Sequence, residues 1–373
     1  MKIGIDARLI AETGVGRYIR NLMKHLARLD GENRYVVFLR KQSLSTFKAF
    51  NARWRAVVAD VPWHSVTEQI VMPRLFTAEK LDLVHIPYFN APVFYPGRYV
   101  VTIHDLTILH MKTGRATTLP VPLYALRRIG YHAVLRMGLL RASHIFTVSE
   151  TTKRELSERF SVPPQRITVT YEAVDDRILK KGDANRIVAH PYFLYVGNAY
   201  PHKNLERLVL AFGRLTRGRN IDRNIRLVLV GKHDFFYRRL TSFIAAHGLS
   251  ERIILFGPAD DRELNALYRH AVAFVFPSLM EGFGLPALEA LSVGCPVLAS
   301  DIPVFREVFG HACRYFDPED DSALTVLLEQ ALRAAEREIQ PQNIRLPRIY
   351  SWEDLAEKTL AVYRSFQRDV PAI

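Results

Sequence analysis

Short runs of apolar, β-branched residues alternate with longer stretches of helical periodicity along nearly the whole chain. In the first half the runs are "KIGID" (2–6), "RYVVFL" (34–39), "LVHIP" (83–87), "YVVTIHD" (99–105), "SHIFTVS" (143–149) and "RITVTYE" (166–172). In the second half they are "PYFLYVG" (191–197), "IRLVLVG" (225–231), "RIILFG" (252–257), "VAFVFPS" (272–278) and "PVLAS" (296–300). Strands that are apolar throughout belong to sheets covered on both faces, and helix-length spacers supply the crossovers that parallel neighbours need. The pattern therefore predicts an α/β protein with two doubly wound parallel sheets. A charged stretch, "DDRILKKGDANRIVAH" (175–190), separates the two series. It divides the chain into Rossmann-like domains over about 1–180 and 185–350, with ligands expected at the carboxyl ends of the strands. A chain of 373 residues fits two domains of roughly 150 to 200 residues each. The closing segment, "SWEDLAEKTLAVYRSFQ" (351–367), predicts a helix capped by Ser351 with Glu353 in its first turn.

One segment departs from pure packing logic. "VAFVFPSLMEGFGLPALEALSVG" (272–294) reads as a strand, a glycine-containing turn, and a helix that starts near Gly284 or Leu285 and stops at Gly294. Gly282 and Gly284 permit positive φ and close approach of a ligand to the backbone. The helix start offers N–H groups and a partial positive charge to a phosphate, and Pro286 suits its first turn. Glu289 stands among Ala287, Leu288, Ala290 and Leu291. A carboxylate in that setting needs donors, and a ribose diol supplies two side by side. Glu281, in the turn, would lie nearer the phosphate end and meet a sugar's hydroxyls. The structural alternative is that Glu289 pairs with a core arginine and Glu281 is merely exposed. A glycosidase-type pair is disfavoured, because eight helical residues span about 12 Å, beyond the roughly 5 to 9.5 Å of such pairs.

Composition narrows the class. Hydrophobic residues make up 49% and charged residues 24%, the balance of a folded, soluble protein. No apolar run is long enough to cross a bilayer, and Asp6 and Arg8 break up any signal-peptide pattern at the N-terminus. Two cysteines, Cys295 and Cys313, make no disulfide framework and fit a reducing cytoplasm. The net charge of +13 points to an anionic partner. Residues 111–141 carry Lys112, Arg115, Arg127, Arg128, Arg136 and Arg141 without one acid. A helical stripe of Leu119, Leu123, Leu126, Gly130, Ala133, Met137 and Leu140 is expected to face the core. Tyr124, Arg128, Tyr131 and Leu135 on the other side would then suit anionic headgroups. No nucleic-acid recognition motif or stacking platform is present.

Together, several motifs resemble family 4 glycosyltransferases, and most of all the mannosyltransferases of surface-polysaccharide assembly. "EGFGLPALEA" (281–290) is similar to that family's E-x7-E element. "GVGRY" (14–18) resembles its glycine loop, "TIHDL" (102–106) its His-Asp segment, and "TVSE" (147–150) its interdomain Ser-Glu element. "YVGNAYPHKN" (195–204) resembles its phosphate-binding element, and the 351–367 segment its C-terminal helix. The resemblance implies the GT-B fold: two Rossmann-like domains facing across a cleft, with the 351–373 helix returning to the first. It implies a retaining enzyme with no bound metal and no cofactor, whose donor is a nucleotide-diphosphate sugar, GDP-mannose as first guess.

Residue by residue, Lys203 matches the family's phosphate-binding lysine, and Asn198 stands where many relatives carry an arginine. His104 would touch the donor sugar, with Asp105 orienting it or capping the next segment. Gly14 and Gly16 would bring backbone N–H groups to the diphosphate. Gly282, Phe283, Gly284 and Leu285 would form the donor's phosphate turn, with Glu281 at the sugar and Glu289 at the ribose. Ser149 reads as the N-cap of "ETTKRELSERF". Glu172 and Ala173 depart from the family's Asn-Gly-Val-Asp. The acceptor implied is a glycan or lipid-linked sugar at the cytoplasmic membrane face. An epimerase or hydrolase on the same fold, or a silent nucleotide-binding scaffold, stays open at this stage.

Overall fold

The computed structural model describes residues 1–110, 121–179, 185–218, 221–222, 224–337, 346, 348 and 350–367. The chain divides into two compact units, one of Met1–Glu172 with Tyr350–Ile373 and one of Ala173–Ile349.

The first unit holds β1 (Lys2–Asp6), β2 (Arg34–Leu39), β3 (Trp54–Val58), β4 (Leu83–Ile86), β5 (Tyr99–Ile103), β6 (His144–Thr147) and β7 (Ile167–Val169) in the order β3-β2-β1-β4-β5-β6-β7. The second holds β8 (Tyr192–Val196), β9 (Arg226–Val230), β10 (Ile253–Gly257), β11 (Ala273–Phe276), β12 (Val297–Ser300) and β13 (Arg314–Phe316) in the order β10-β9-β8-β11-β12-β13. Neighbours pair in parallel throughout both sheets. The apolar runs all become strands. Two strands had no apolar run to announce them, and both are sheet edges. β3 carries exposed Arg55 as its second residue and is anchored by Trp54, whose ring stacks on Tyr35 with centroids 4.1 Å apart. β13 has only three residues.

In both orders the chain reverses direction across the sheet beside its first strand, at β1/β4 and at β8/β11. The crossovers leave opposite ways from these two strands, so the loops at their carboxyl ends part and open a crevice.

The Ser351 hydroxyl accepts from Glu353 N at 3.1 Å and caps the helix Trp352–Ser365, which packs on the first helix, Gly14–Leu29. Its Tyr363 hydroxyl shares a hydrogen with His85 Nδ1 at 2.5 Å. His85 Nε2 meets the Thr102 hydroxyl at 2.8 Å, which meets the Tyr18 hydroxyl at 3.0 Å. His85 is fully buried. Burial, helped by nearby His104, pushes its imidazole down to about 3, so it is neutral at ordinary pH.

The helix Val121–Arg141 corrects one expectation. Leu135 and Leu139 are buried, and Tyr131 packs its ring edge-on against His64 (5.2 Å) and Phe89 (6.1 Å). Met137 and Leu140, assigned to the core face, are exposed instead. Apolar residues occupy both sides of this helix, so periodicity alone could not choose between them. The choice falls to the side where Tyr131, Leu135 and Leu139 align at i, i+4 and i+8, and where Gly138 lets the backbone approach Ala91. Lys112, Arg115 and Leu119, and the side chains of Leu123, Tyr124, Leu126 and Arg127, lie outside the described residues.

A histidine held neutral binds no proton when folded but does when unfolded, so its contribution to stability falls as pH drops below 6.5 toward 3. At about pH 5 the loss is roughly 2 kcal/mol. Chemical denaturation at pH 7 and pH 5 should show this difference in the native chain and a reduced one in His85→Gln.

Candidate active site

The second unit gathers its charged candidates at the reversal. After β8 the chain turns through Gly197 and Asn198 into a tight helical turn, Pro201–Lys203. Asn204 follows in the left-handed region, φ 58°, and opens the helix Leu205–Thr216. After β11 it passes Ser278 and Leu279 to Glu281. The two loops are tied by Leu279 N donating to His202 O at 2.8 Å. Across this tie the Lys203 ammonium donates to Glu281 Oε1 at 2.5 Å, and the Ser278 hydroxyl donates to the same oxygen at 2.7 Å. Lys203 Nζ also lies 5.7 Å from the centre of the Phe276 ring. Both partners of the ion pair are largely shielded, 14% and 12% exposed.

Beyond Glu281 the turn enters the helix Leu285–Ser292. Of the two glycines that permit positive φ, Gly284 adopts it, at 102°, and Gly282 does not. A Cβ there would also lie 2.8 Å from the Phe309 ring and 3.0 Å from the Phe305 ring. Gly284 is thus fixed by packing as well as by backbone conformation. Phe283 and Leu285 are buried. Ala287 N and Leu288 N both return to Gly284 O, at 3.0 and 3.2 Å, so the N–H groups ahead of them are the donors the helix start offers. Glu289 is buried, and the Tyr268 hydroxyl donates to its Oε2 at 3.0 Å. Asn198 serves its own loop. Its backbone carbonyl accepts from the Tyr195 hydroxyl at 2.8 Å, and its Oδ1 accepts from Tyr200 N at 3.3 Å.

In the first unit His104 directly follows β5. Its Nε2 donates to Pro87 O at 3.1 Å, just past β4, and its Nδ1 lies 3.3 Å from Glu172 Oε1. The Tyr18 ring meets the imidazole edge-on at 4.8 Å. Glu172 is the residue the sequence did not assign. It entered only as a departure from a turn pattern, and nothing in its neighbours' periodicity marked it as the partner of a histidine 68 positions away. Asp105 Oδ1 accepts from Thr107 N at 2.8 Å, the capping role. The Ser149 hydroxyl likewise caps its helix, accepting from Thr152 N at 3.1 Å. Gly14 and Gly16 lie in the first turn of the helix Gly14–Leu29 rather than in a loop before it. A Cβ on Gly16 would stand 2.6 Å from Ile10 O, so the close approach it permits is to its own chain, whereas Gly14 has open space.

Two parallel-sheet α/β units, one with a cation, a carboxylate and a helix start at its crossover reversal, define the GT-B class of sugar transferases. The family model "Glycosyltransferase Family 4" matches residues 13–177 and "Glycosyl transferases group 1" matches residues 178–344. The chain belongs to the family 4 glycosyltransferases. The O-antigen chain mannosyltransferase RfbU of Salmonella typhimurium is 29% identical over 225 residues, 60% of this chain and 58% of that relative's length. The O-antigen chain mannosyltransferase B of Escherichia coli is 28% identical over 376 residues, covering 94% of this chain and 96% of its own. Among solved structures, Anabaena HepE in complex with UDP and glucose is similar at TM-score 0.74 and 14% identity, covering 98% of this chain and 100% of that one. That likeness is one of fold.

A shielded ion pair cut on one side leaves the other charge exposed to its desolvation cost. Lys203→Met and Glu281→Leu should each destabilise the second unit. The double variant should lose less than the sum of the two, by on the order of 1 kcal/mol or more in a double-mutant cycle read by urea denaturation.

Proposed function

We propose that the protein transfers a mannosyl group, with retention of anomeric configuration, from a nucleotide-diphosphate donor to a glycan or lipid-linked glycan in cell-surface polysaccharide synthesis. GDP-mannose is the donor proposed, supported by the two mannosyltransferase relatives. The observation that carries the reading is the Lys203–Glu281 pair beside the start of the helix Leu285–Ser292.

In this reading the chemistry is largely electrostatic. As the anomeric C–O bond breaks, the diphosphate gains negative charge and the sugar becomes oxocarbenium-like. The Lys203 ammonium and the N–H groups of the Gly282-Phe283-Gly284-Leu285 turn oppose the first charge. An arriving diphosphate competes with Glu281 for the ammonium, which turns the carboxylate toward the sugar's hydroxyls and its developing positive charge. Glu289, oriented by the Tyr268 hydroxyl, accepts the ribose diol. Asn198 commits its carbonyl oxygen to the loop, so its amide N–H2 is the donor it offers a ligand. Gly14 keeps its proposed diphosphate role, while the packing of Gly16 against Ile10 gives that glycine a structural reason of its own. His104, held by Pro87 and Glu172, is the first unit's residue for the donor sugar.

The acceptor hydroxyl attacks on the face the phosphate leaves. The new C–O bond forms as the old one breaks, and the hydroxyl's proton passes to the departing phosphate oxygen. Protein groups supply the charge compensation, and the reaction is proposed to run without a bound metal. The acceptor is proposed to be presented at the cytoplasmic face of the cell membrane.

Proton NMR of the product should give the donor's own anomeric configuration; an inverted linkage overturns the mechanism. A thermal-shift panel should raise the melting temperature most with GDP-mannose, a ligand at 100 times its dissociation constant adding about 2.7 kcal/mol. Glu281→Gln should lower kcat on the order of a hundredfold without weakening nucleoside-diphosphate binding. Glu289→Ala should erase the preference for ribose over 2′,3′-dideoxyribose nucleotides in calorimetry.

A further inference from the structure

We propose, resting on the sugar-transfer reading, that Glu172 is a further catalytic residue of the first unit. Its carboxylate accepts a hydroxyl hydrogen from the sugar that His104 meets.

Other buried acids of this unit are fully occupied. Glu68, 1% exposed, accepts from Arg8 Nη2 at 2.5 Å, from His64 N at 2.9 Å and from the Asn90 amide. Asp30, also 1% exposed, accepts from the Tyr35 hydroxyl, from Asn33 Nδ2 at 2.8 Å and from Glu32 N at 3.0 Å. Such carboxylates hold loops together, and their donors offset the loss of water. Glu172 is different. It is 5% exposed, yet among the described residues no backbone N–H, hydroxyl, amide, lysine or arginine donates to it. Its charged neighbour there is His104, whose Nδ1 lies 3.3 Å from Oε1. That imidazole is already engaged, since its Nε2 donates to Pro87 O at 3.1 Å. Behind it the line of Tyr18, Thr102, His85 and Tyr363 brings no cation, and the Tyr18 hydroxyl is committed to Thr102. The turn itself does not require an acid, because the family pattern Asn-Gly-Val-Asp has an amide at this place. A carboxylate left with one imidazole edge is an acceptor kept open, and keeping it open costs stability, as functional sites commonly do.

The position and chemistry of Glu172 select what fills the opening. Pro87, His104 and Glu172 stand just past the carboxyl ends of β4, β5 and β7, the edge at which this architecture binds ligands. An ionised carboxylate accepts and does not donate, so its ligand must bring a hydrogen. The phosphates of a nucleotide-diphosphate sugar bring none and repel it, whereas the sugar brings several hydroxyls. There the charge also acts on the reaction. As the anomeric bond breaks and the ring becomes oxocarbenium-like, its hydroxyls grow more acidic. A hydrogen bond from one of them to a carboxylate then strengthens. An interaction stronger in the transition state than in the bound substrate raises kcat rather than affinity.

The test compares the full native chain with Glu172→Gln. The donors are GDP-mannose and its 2-, 3-, 4- and 6-deoxymannosyl analogues, and the readout is GDP release with octyl α-mannoside, or with water where that acceptor is refused. Glu172→Gln should keep or exceed the native melting temperature, since it removes an open buried charge, and should bind GDP as the native chain does in calorimetry. With GDP-mannose its kcat should fall on the order of fiftyfold while KM changes less than about threefold. With one of the analogues the deficit should shrink to about twofold, because the hydroxyl that Glu172 would accept from is missing. Glu172→Asp, which restores the charge, should recover part of the rate. The proposal is overturned if Glu172→Gln releases GDP as fast as the native chain, or if its deficit is the same with every donor. A lowered melting temperature overturns it too, by making the carboxylate structural. A native chain with neither GDP affinity nor GDP release overturns the sugar-transfer reading itself, a result distinct from an active native chain with an undiminished variant.

Discussion

An ammonium group held in a shielded crevice is costly unless an acid opposes it. The ion pair of Lys203 with Glu281 resolves that conflict. It exists only because the crossovers from β8 and β11 leave in opposite directions, so that the loops after two adjacent strands face each other. The backbone bond from Leu279 N to His202 O fixes the spacing, and the Ser278 hydroxyl fixes the carboxylate from behind. In the proposed transfer the ammonium is in place before the ligand arrives, and the Glu281 carboxylate is the group that turns. Gly284 completes the arrangement, since only glycine combines its backbone conformation with the contact against Phe305 and Phe309.

The first unit places a histidine at the corresponding strand end. His104 follows β5 and donates to a carbonyl just beyond β4, and its other nitrogen faces Glu172 beyond β7. Behind it, Tyr18, Thr102, His85 and Tyr363 form a buried line of hydrogen bonds ending on the helix Trp352–Ser365. Each hydroxyl and each ring nitrogen in that line has a partner, so the imidazole's setting is rigid. The neutral state of His85 fits this, because burial in a dry line of uncharged partners disfavours its charged form.

How much of this was legible in the chain depended on whether one physical term dominated. Strands buried on both faces announce themselves, because nothing but apolar residues fits, and their runs fell where the sheets lie. β3 and β13 escaped, since an edge strand tolerates Arg55 or can be three residues long. Caps were readable at Ser149 and Ser351, where a hydroxyl satisfies nearby N–H groups. The helix Val121–Arg141 was misread in orientation, because Ile129, Met137 and Leu140 are as apolar as Leu135 and Leu139. Only the presence of His64, Phe89 and Ala91 across the interface decides between them. Glu172 was unreadable for a related reason: its partner is distant in sequence, and a single acid in a loop carries no periodic signal. Gly16 shows the converse, a glycine read for a ligand whose missing Cβ also leaves room for the Leu9 and Ile10 carbonyls of its own chain.

The net charge of +13 becomes informative only once it is divided by environment. Inside, cations are matched almost atom for atom. Arg8, 4% exposed, is gripped by Asp6 and Glu68, and Lys203 by Glu281. These pairs hold geometry and contribute little to the field outside. The unmatched charge is carried by exposed positions, and between 128 and 141 it is accompanied by exposed apolar residues rather than by acids. A surface kept only for solubility would intersperse both signs and avoid the apolar stripe. One sign of charge beside exposed Ile129, Met137 and Leu140 is costly to keep in water.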